Sequence, residues 1–216
     1  MPIFFQHNID ESSKLAVWKI EEKESFFQIP LQREITHPHK RLQHLAGRYL
    51  LRYLFADFPL DLVKIADTRK PYLEDEAYHF SISHCSDYAA AIVSKEKRVG
   101  VDIEVPTSKV EKIKHKFLHE EELAMCNKQG TISNGVSHLP TNQLINHLTL
   151  LWCCKEAVFK WWSYGGVDFS EMIRLQPFAL QPLGKIEGKF IAEEKQYPLS
   201  LYYRLFDELC LAWVVR

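Results

Sequence analysis

Two short runs in this chain have residue types and spacings that can do chemistry. In the first, Val99-Gly100-Val101-Asp102-Ile103-Glu104-Val105-Pro106, β-branched residues alternate with small or acidic ones. A strand sends residues two apart to one face, so Asp102 and Glu104 share a face while Val101, Ile103 and Val105 turn toward a core. Their backbones then lie roughly 7 Å apart. Carboxylates at that separation repel unless a cation sits between them. Hard oxygen donors suit magnesium, which keeps waters and bridges to substrate phosphates. The plainer reading is an edge strand with one solvated, charged face, and an acid pair alone does not decide between them. The second run, Trp152-Cys153-Cys154-Lys155-Glu156-Ala157-Val158-Phe159-Lys160, has helical spacing. Trp152, Glu156 and Lys160 recur every four residues and share one face. An exposed Glu–Lys pair of that kind contributes only a few tenths of a kcal/mol. Here the neighbours are heavy: Leu148, Leu151, Phe159, Trp161 and Trp162. A glutamate desolvated among them is poised as a base or metal ligand beside a lysine.

Two further groups are basic or polar. Arg41, Arg48 and Arg52 fall within about 40° of one another on a helix of 3.6 residues per turn, with His37, His39, Lys40 and His44 nearby. No acid occurs between Glu34 and Asp57. Such a stripe suits a phosphorylated ligand, or is simply a solvated helix face. In Ser81-Ile82-Ser83-His84-Cys85-Ser86 a strand runs into a turn. Ser83 and His84 there can donate to a phosphate, or the turn can satisfy itself. Cys85 faces away from its neighbour His84 on a strand, which argues against a Cys–His nucleophile. No G-x-S-x-G elbow, phosphate-binding glycine loop, G-x-G-x-x-G or H-E-x-x-H is present, which excludes the common serine-hydrolase, nucleotide and zinc-protease sites.

The elements that must position these residues follow from pattern. Leu42, Leu45, Tyr49 and Tyr53 predict a helix from His39 to about Phe55, started at Thr36 and Pro38. Asp67-Thr68-Arg69-Lys70-Pro71 reads as a turn. Tyr78–Ser83 and Tyr88–Val93 predict a hairpin, followed by the strand that carries the two acids. Lys109 to about Asn127 is helical by pattern, residues 128–142 form the longest loop, and Thr141 caps a helix to about Trp162. Beyond Gly166 strands are expected over Ile173–Leu180, Gly184–Ala192 and a hairpin from Leu199 to Val215. Each half thus holds a long helix and a later hairpin. That echo predicts two similar α+β lobes, 1–97 and 98–216.

The chain has 216 residues, 46 % of them apolar, which is enough for a sizeable core without staples. Its 27 basic and 28 acidic residues give a net charge of −1, against bulk electrostatic binding to nucleic acid. Five cysteines without C-x-x-C spacing signal neither a disulfide framework nor a zinc site. The N-terminus lacks the basic and apolar regions of a signal peptide. The uncharged stretch 129–154 is too polar for a membrane span. A reduced, cytoplasmic protein with no membrane and no nucleic-acid partner is expected.

Taken together and in order, five segments resemble the 4′-phosphopantetheinyl transferases of the two-lobed, surfactin-synthetase-activating type. They are Gly47–Arg52, Lys70-Pro71-Tyr72, Phe80–His84, Gly100–Glu104 and the W-x-x-K-E-A-x-x-K run Trp152–Lys160, spanning roughly residues 40–165. The resemblance implies two α+β lobes related by a pseudo-twofold, with coenzyme A in the cleft between them. It implies transfer of the 4′-phosphopantetheine arm to a serine of an apo acyl or peptidyl carrier protein, with release of 3′,5′-ADP. Asp102, Glu104 and Glu156 would hold magnesium, and Glu156 would also be the base for the serine. Lys160 would assist the leaving phosphate, with Lys155 a further phosphate contact. Lys70 and Pro71 would border the adenine, Ser83 and His84 would meet the phosphates, and Arg48 and Arg41 are the candidates for the 3′-phosphate. A chain holding both lobes supplies its own cleft, so a monomer is expected. Two positions depart from the family pattern: Arg69 where glycine usually precedes Lys-Pro, and Cys85 where serine often follows Ser-His. The same acids leave open a metal-dependent phosphodiesterase or nuclease, and the fold leaves open a non-catalytic carrier-binding module.

Overall fold

Alternating apolar residues and a long amphipathic helix build the first half of the chain. The computed structural model describes residues 3–31, 34–128 and 141–216. Strands β1 (Ile3–Asn8) and β2 (Ser13–Lys19) form an opening hairpin that the sequence pattern did not predict. Helix α1 (Pro38–Leu54) starts as expected: His37 is its cap, its ring accepting from the Lys40 amide, and Pro38 stands in the first turn. A two-rung hairpin, β3 (Lys64–Ile65) with β4 (Pro71–Tyr72), occupies the predicted turn. Strands β5 (His79–Cys85) and β6 (Tyr88–Ser94) form the predicted hairpin, and the sheet order is β1-β2-β6-β5, all antiparallel.

The second half begins at β7 (Val99–Glu104). Where one helix was expected over 109–127 there are two, α2 (Lys109–Phe117) and α3 (Glu120–Lys128). The break at Leu118-His119 has a local cause: Leu118 turns extended, and Glu122 accepts from the His119 amide at 2.8 Å, the reciprocal half of a capping box. Helix α4 (Thr141–Trp162) and a single turn, α5 (Phe169–Met172), lead to β8 (Ile173–Leu175), β9 (Leu183–Ala192), β10 (Lys195–Leu205) and β11 (Cys210–Val215). The strand expected to Leu180 ends at Leu175, just before Pro177, a residue that cannot donate to a ladder. These strands form a five-stranded sheet in the order β7-β11-β10-β9-β8. Of the long loop expected over 128–142, residues 129–140 lie outside the described residues.

The layers are helix, sheet, sheet, helix. One face of the first sheet buries Trp18, Ala91 and Val93 against Leu45, Leu50, Leu51 and Leu54 of α1. Its other face buries Leu15, Val17 and Ile92 against Val101, Ile103, Leu211 and Trp213 of the second sheet. The far face of that sheet, with Ala212, Val214, Ile186 and Leu201, packs on Leu150, Cys154, Ala157 and Val158 of α4. The fold is α+β, with one long helix on an antiparallel sheet in each half. Two glycines let these helices close in. A Cβ on Gly47 would stand 2.6 Å from the Ile82 Cγ2, and one on Gly100 would stand 2.0 Å from the Ala157 carbonyl oxygen.

Strands β5 and β7 are both sheet edges, and they meet. No backbone ladder joins them. Side chains do it instead: the Val101 amide donates to Ser81 Oγ at 3.2 Å, and Ser83 Oγ donates to Asp102 Oδ1 at 2.6 Å. No helix among the described residues is long and apolar enough to cross a membrane.

Candidate active site

The seam between β5 and β7 is where the predicted residues gather. Because Val101 and Ile103 are fully buried between the sheets, the strand alternation turns Asp102 and Glu104 toward α4. Asp102 is buried. Its Oδ1 accepts from Ser83 Oγ and, at 2.6 Å, from Lys160 Nζ. Lys160 Nζ also donates to Ser83 Oγ at 2.8 Å. The other carboxylate oxygen, Asp102 Oδ2, is buried and has no hydrogen-bond partner among the described residues. An orphaned buried carboxylate oxygen is costly unless something else satisfies it.

Glu104 and Glu156 complete the acidic group. Trp152 Nε1 donates to Glu104 Oε1 at 3.3 Å, one helical turn before Glu156. Burial, then the charge of Asp102, pushes Glu104 up to about 7, and Lys160 and the Trp152 bond only partly offset this. Burial and then Asp102 push Glu156 up to about 7 as well, with Glu104 adding to the effect. Lys160 runs the other way. Burial would lower it, but the charge and hydrogen bond of Asp102, with Glu156 behind them, leave it raised. One firmly protonated lysine therefore faces three acids, two of which hold their protons near neutrality. Among the described residues no three His, Cys, Asp or Glu side chains already stand at cage spacing for an ion. The donor set is nevertheless that of a hard cation: carboxylate oxygens, one of them orphaned, with the lysine rather than a third carboxylate against Asp102.

Across the seam the lining is basic. A cavity of about 260 Å³ is walled by His44, Arg48, Ile65, Arg69, Pro71, Ile82 and His84. The wall holds four basic side chains and no acid. The His44 and His84 rings meet edge to face at 5.1 Å, and burial, followed by Lys160, lowers the His84 pKa. A second cavity of about 190 Å³ shares Arg69, Pro71 and Ile82 and reaches Phe159 and Lys160. The β3–β4 hairpin forms the lip of both.

Arg69 was not among the predicted ligand residues, and its backbone marks it out. Its φ is +65°, in the left-handed region. The Ala66 amide donates to the Lys70 carbonyl, and the Arg69 amide donates to the Ala66 carbonyl. A left-handed residue closing a short hairpin turn is normally glycine, and an L-residue there costs ~1–2 kcal/mol. The signal available in the sequence was the departure from Gly-Lys-Pro itself.

Two expectations are corrected, and a third residue has an added contact. Lys155 does not face the seam. It is fully buried and donates to Glu122 Oε2 at 2.6 Å and to the carbonyls of Phe169 and Ile173. Its three N–H groups are thus spent inside the fold, where it ties α4 to α3, α5 and β8. Burial lowers its pKa while Glu122 opposes. Arg41 does not line the basic cavity. It lies at the solvent end of α1 and pairs with Glu24 at 2.6 Å. Lys70 lines the second cavity beside Pro71, and its ammonium reaches the end of α4, donating to the Lys160 carbonyl at 2.7 Å and to Ser163 Oγ. Burial, then Arg98, brings its pKa down to about 8.

Comparison with known proteins adds an independent line. Residues 98–214, more than half of the chain, match the 4′-phosphopantetheinyl transferase superfamily. Enterobactin synthase component D of Salmonella austin is 32 % identical over 124 residues, which cover 57 % of this chain and 48 % of that protein. A Haemophilus influenzae protein that carries the name of a 4′-phosphopantetheinyl transferase is 29 % identical over 146 residues, covering 63 % of this chain and 55 % of its own length. The chain thus spans about half the length of these relatives.

Proposed function

This chain belongs to the 4′-phosphopantetheinyl transferase superfamily, and we propose that it moves the 4′-phosphopantetheine arm of coenzyme A onto a serine hydroxyl of an apo acyl or peptidyl carrier protein. The serine oxygen forms a bond to the phosphorus that carries pantetheine. The bond from that phosphorus to the bridging oxygen breaks, and 3′,5′-ADP leaves with the bonding electrons. Such a transfer needs positioning and charge neutralisation more than covalent help.

Each residue at the seam has a task that its surroundings support. Glu156, half-buried on the face of α4 turned to the seam, takes the serine proton at near-neutral pH. Lys160, charged at that pH, turns from Asp102 to the charge developing on the bridging oxygen. His84 and Ser83 donate to the phosphates. Arg48 and Arg69 neutralise the 3′-phosphate in the cavity walled by His44 and His84, and Pro71 borders the adenine. Asp102, Glu104 and Glu156 would hold magnesium, with Asp102 Oδ2 the oxygen free to accept it. Bound there, the ion would supply Lewis-acid neutralisation of the pyrophosphate. The protein acts as a monomer in the cytoplasm, with the two lobes meeting near residue 97.

The observation that carries this reading is the pairing across one seam of an orphaned buried carboxylate oxygen with an acid-free basic cavity. The test incubates the protein with magnesium, coenzyme A and an apo carrier protein and weighs the carrier. Wild type adds one phosphopantetheine. Glu156→Gln, with an unchanged circular dichroism spectrum, slows the reaction ~10²–10⁴-fold, the range for loss of a general base. Full activity in that variant overturns the role of Glu156, and no mass gain with wild type overturns the function.

A further inference from the structure

We infer that Lys70 is a positioning residue, latching the β3–β4 hairpin to the last turn of α4 and so fixing the lip of the ligand cleft. The latch stands on geometry alone; its kinetic consequence rests on the coenzyme A reading above.

The hairpin has little else to hold it. Val63 and Leu73 are buried, but residues 64–72 between them include no buried side chain. Only two pairs, Lys64↔Tyr72 and Ile65↔Pro71, make the ladder. A hairpin that short does not hold its shape alone in water. What it lacks is supplied at the far end of the molecule's longest helix. Lys70 Nζ donates to the Lys160 carbonyl at 2.7 Å and to Ser163 Oγ. The last carbonyls of a helix lack intrahelical partners and carry the negative end of its dipole, so an ammonium is the natural cap.

Two neighbouring contacts reinforce the junction. Arg98 donates to the Trp162 carbonyl at 2.9 Å, and its guanidinium lies 4.9 Å from the Tyr164 ring centre. Gly165, at φ +73°, lets the loop pass close under the turn: a Cβ there would come within 3.2 Å of Thr68 Cγ2. Non-glycine residues on both sides of the latch, Arg69 at φ +65° and Ser163 at φ +77°, sit in the left-handed region. Such conformations persist only where the surroundings over-determine them.

The latch matters because of what it joins. Arg69 and Pro71, on either side of Lys70, line both cavities, and the Lys70 side chain lines the second on its way to α4. Lys160, whose carbonyl accepts the latch, holds Asp102 with its side chain. The hairpin lip is therefore tied to the acidic group through the Lys70 side chain.

Hydrogen exchange on the ligand-free protein tests this directly. In Lys70→Met, amide exchange in 66–70 and in 163–166 should accelerate together by at least tenfold, with β10 and β11 unchanged. Ser163→Ala should loosen the same two segments, and adding it to Lys70→Met should change little. The Lys70→Met enzyme should show a KM for coenzyme A raised about tenfold, ~1.4 kcal/mol, with kcat within threefold, because the lip holds the nucleotide end and not the reacting phosphate. Loosening confined to the hairpin, or absent from both segments, overturns the latch even if KM rises, since a side chain that merely touches ligand raises KM without freeing the helix end. A wild-type enzyme without transferase activity would fell the function reading, while the exchange result would still decide the latch.

Discussion

Replacing Gly100 by alanine should damage this protein more than any other single-methyl addition in the cores. The added Cβ would lie 2.0 Å from the Ala157 carbonyl oxygen, 2.7 Å from the Trp161 amide nitrogen and 3.0 Å from the Trp161 Cβ. The two nearest are backbone atoms of α4, so no side-chain rotation relieves the clash. Even to reach 3.0 Å from the oxygen, β7 and α4 must part by at least about 1 Å. The segments that part are those carrying the site: Ala157 and Trp161 follow Glu156 and Lys160, and Asp102 is two residues beyond Gly100. A 1 Å separation stretches the 2.6 Å contact between Lys160 and Asp102 to about 3.6 Å, beyond hydrogen-bond range. Overpacking costs ~1–3 kcal/mol and a lost charged hydrogen bond ~1.5–3 kcal/mol. Taking about 3 kcal/mol, a chain of this length loses roughly 6–12 °C in Tm. A misplacement of about 1 Å costs about 10²-fold in rate. Thermal unfolding and carrier-loading kinetics measure both. Gly47→Ala is the control, because its Cβ meets only the Ile82 methyl, at 2.6 Å, which can swing aside. Alanine also favours a helix by ~1 kcal/mol over glycine, so the control stays within about 3 °C of wild type. The reasoning fails if Gly100→Ala lies within 2 °C and threefold in kcat/KM of wild type, or if Gly47→Ala is the worse variant.

Arg69→Gly should leave Tm unchanged or slightly raised, since relief of ~1–2 kcal/mol of left-handed strain offsets the ~0.5–1 kcal/mol entropic cost of glycine, while KM for coenzyme A rises at least tenfold. An unchanged KM would remove Arg69 from the ligand cavity. In the ligand-free protein, burial and Asp102 lift Glu104 and Glu156 from 4.5 to about 7. The folded state therefore keeps protons that the unfolded chain releases, and this part of its stability is present below pH ~4.5 and lost as pH rises through ~7. The double variant Glu104→Gln/Glu156→Gln should thus gain Tm over wild type at pH 8 but not at pH 4.5, and a gain independent of pH would show that the two acids do not titrate together there.

Periodicity sufficed where an element buries one clean face. Leu42, Leu45 and Tyr49 on α1, and Val101 and Ile103 on β7, declare their cores by spacing, so α1, α4 and the hairpins β5–β6 and β10–β11 were legible. The opening hairpin was missed because Ile3-Phe4-Phe5 and Leu15-Ala16-Val17-Trp18 are near-continuous apolar runs. The latter is buried on both faces of the first sheet, so no alternation remains to read. The break between α2 and α3 rests on the Glu122 cap of the His119 amide, which the helical pattern over 109–127 hides, while Glu122 also pairs with Lys155, 33 residues away in the chain. The same long-range pair misled the reading of Lys155. It stands beside Glu156 in the motif, yet adjacent helical residues point about 100° apart, and one faces the seam while the other faces the core. Pattern locates candidate chemistry; only packing says which of two neighbouring residues is free to do it.

The division of charge between the halves explains why the site lies where it does. The first half brings no acid to the seam, only Arg48, Arg69, Ser83 and His84. The second brings all three acids, with Lys160 as their one cation. A small anion could bind to the first set without the second, and a cation to the second without the first. In the proposed function, a pyrophosphate carrying a further phosphate would engage both, which a molecule with two sheet edges held side by side can offer. The edges are joined by Ser81 and Ser83 rather than by a ladder, which leaves that face of β5 and β7 open to ligand. The family match begins at residue 98 and so covers the acidic side alone. The basic side lies outside it and carries Arg69 in a strained turn. In the function proposed above, then, the matched segment would hold the reacting chemistry, while residues of the first half would set selectivity for the nucleotide end.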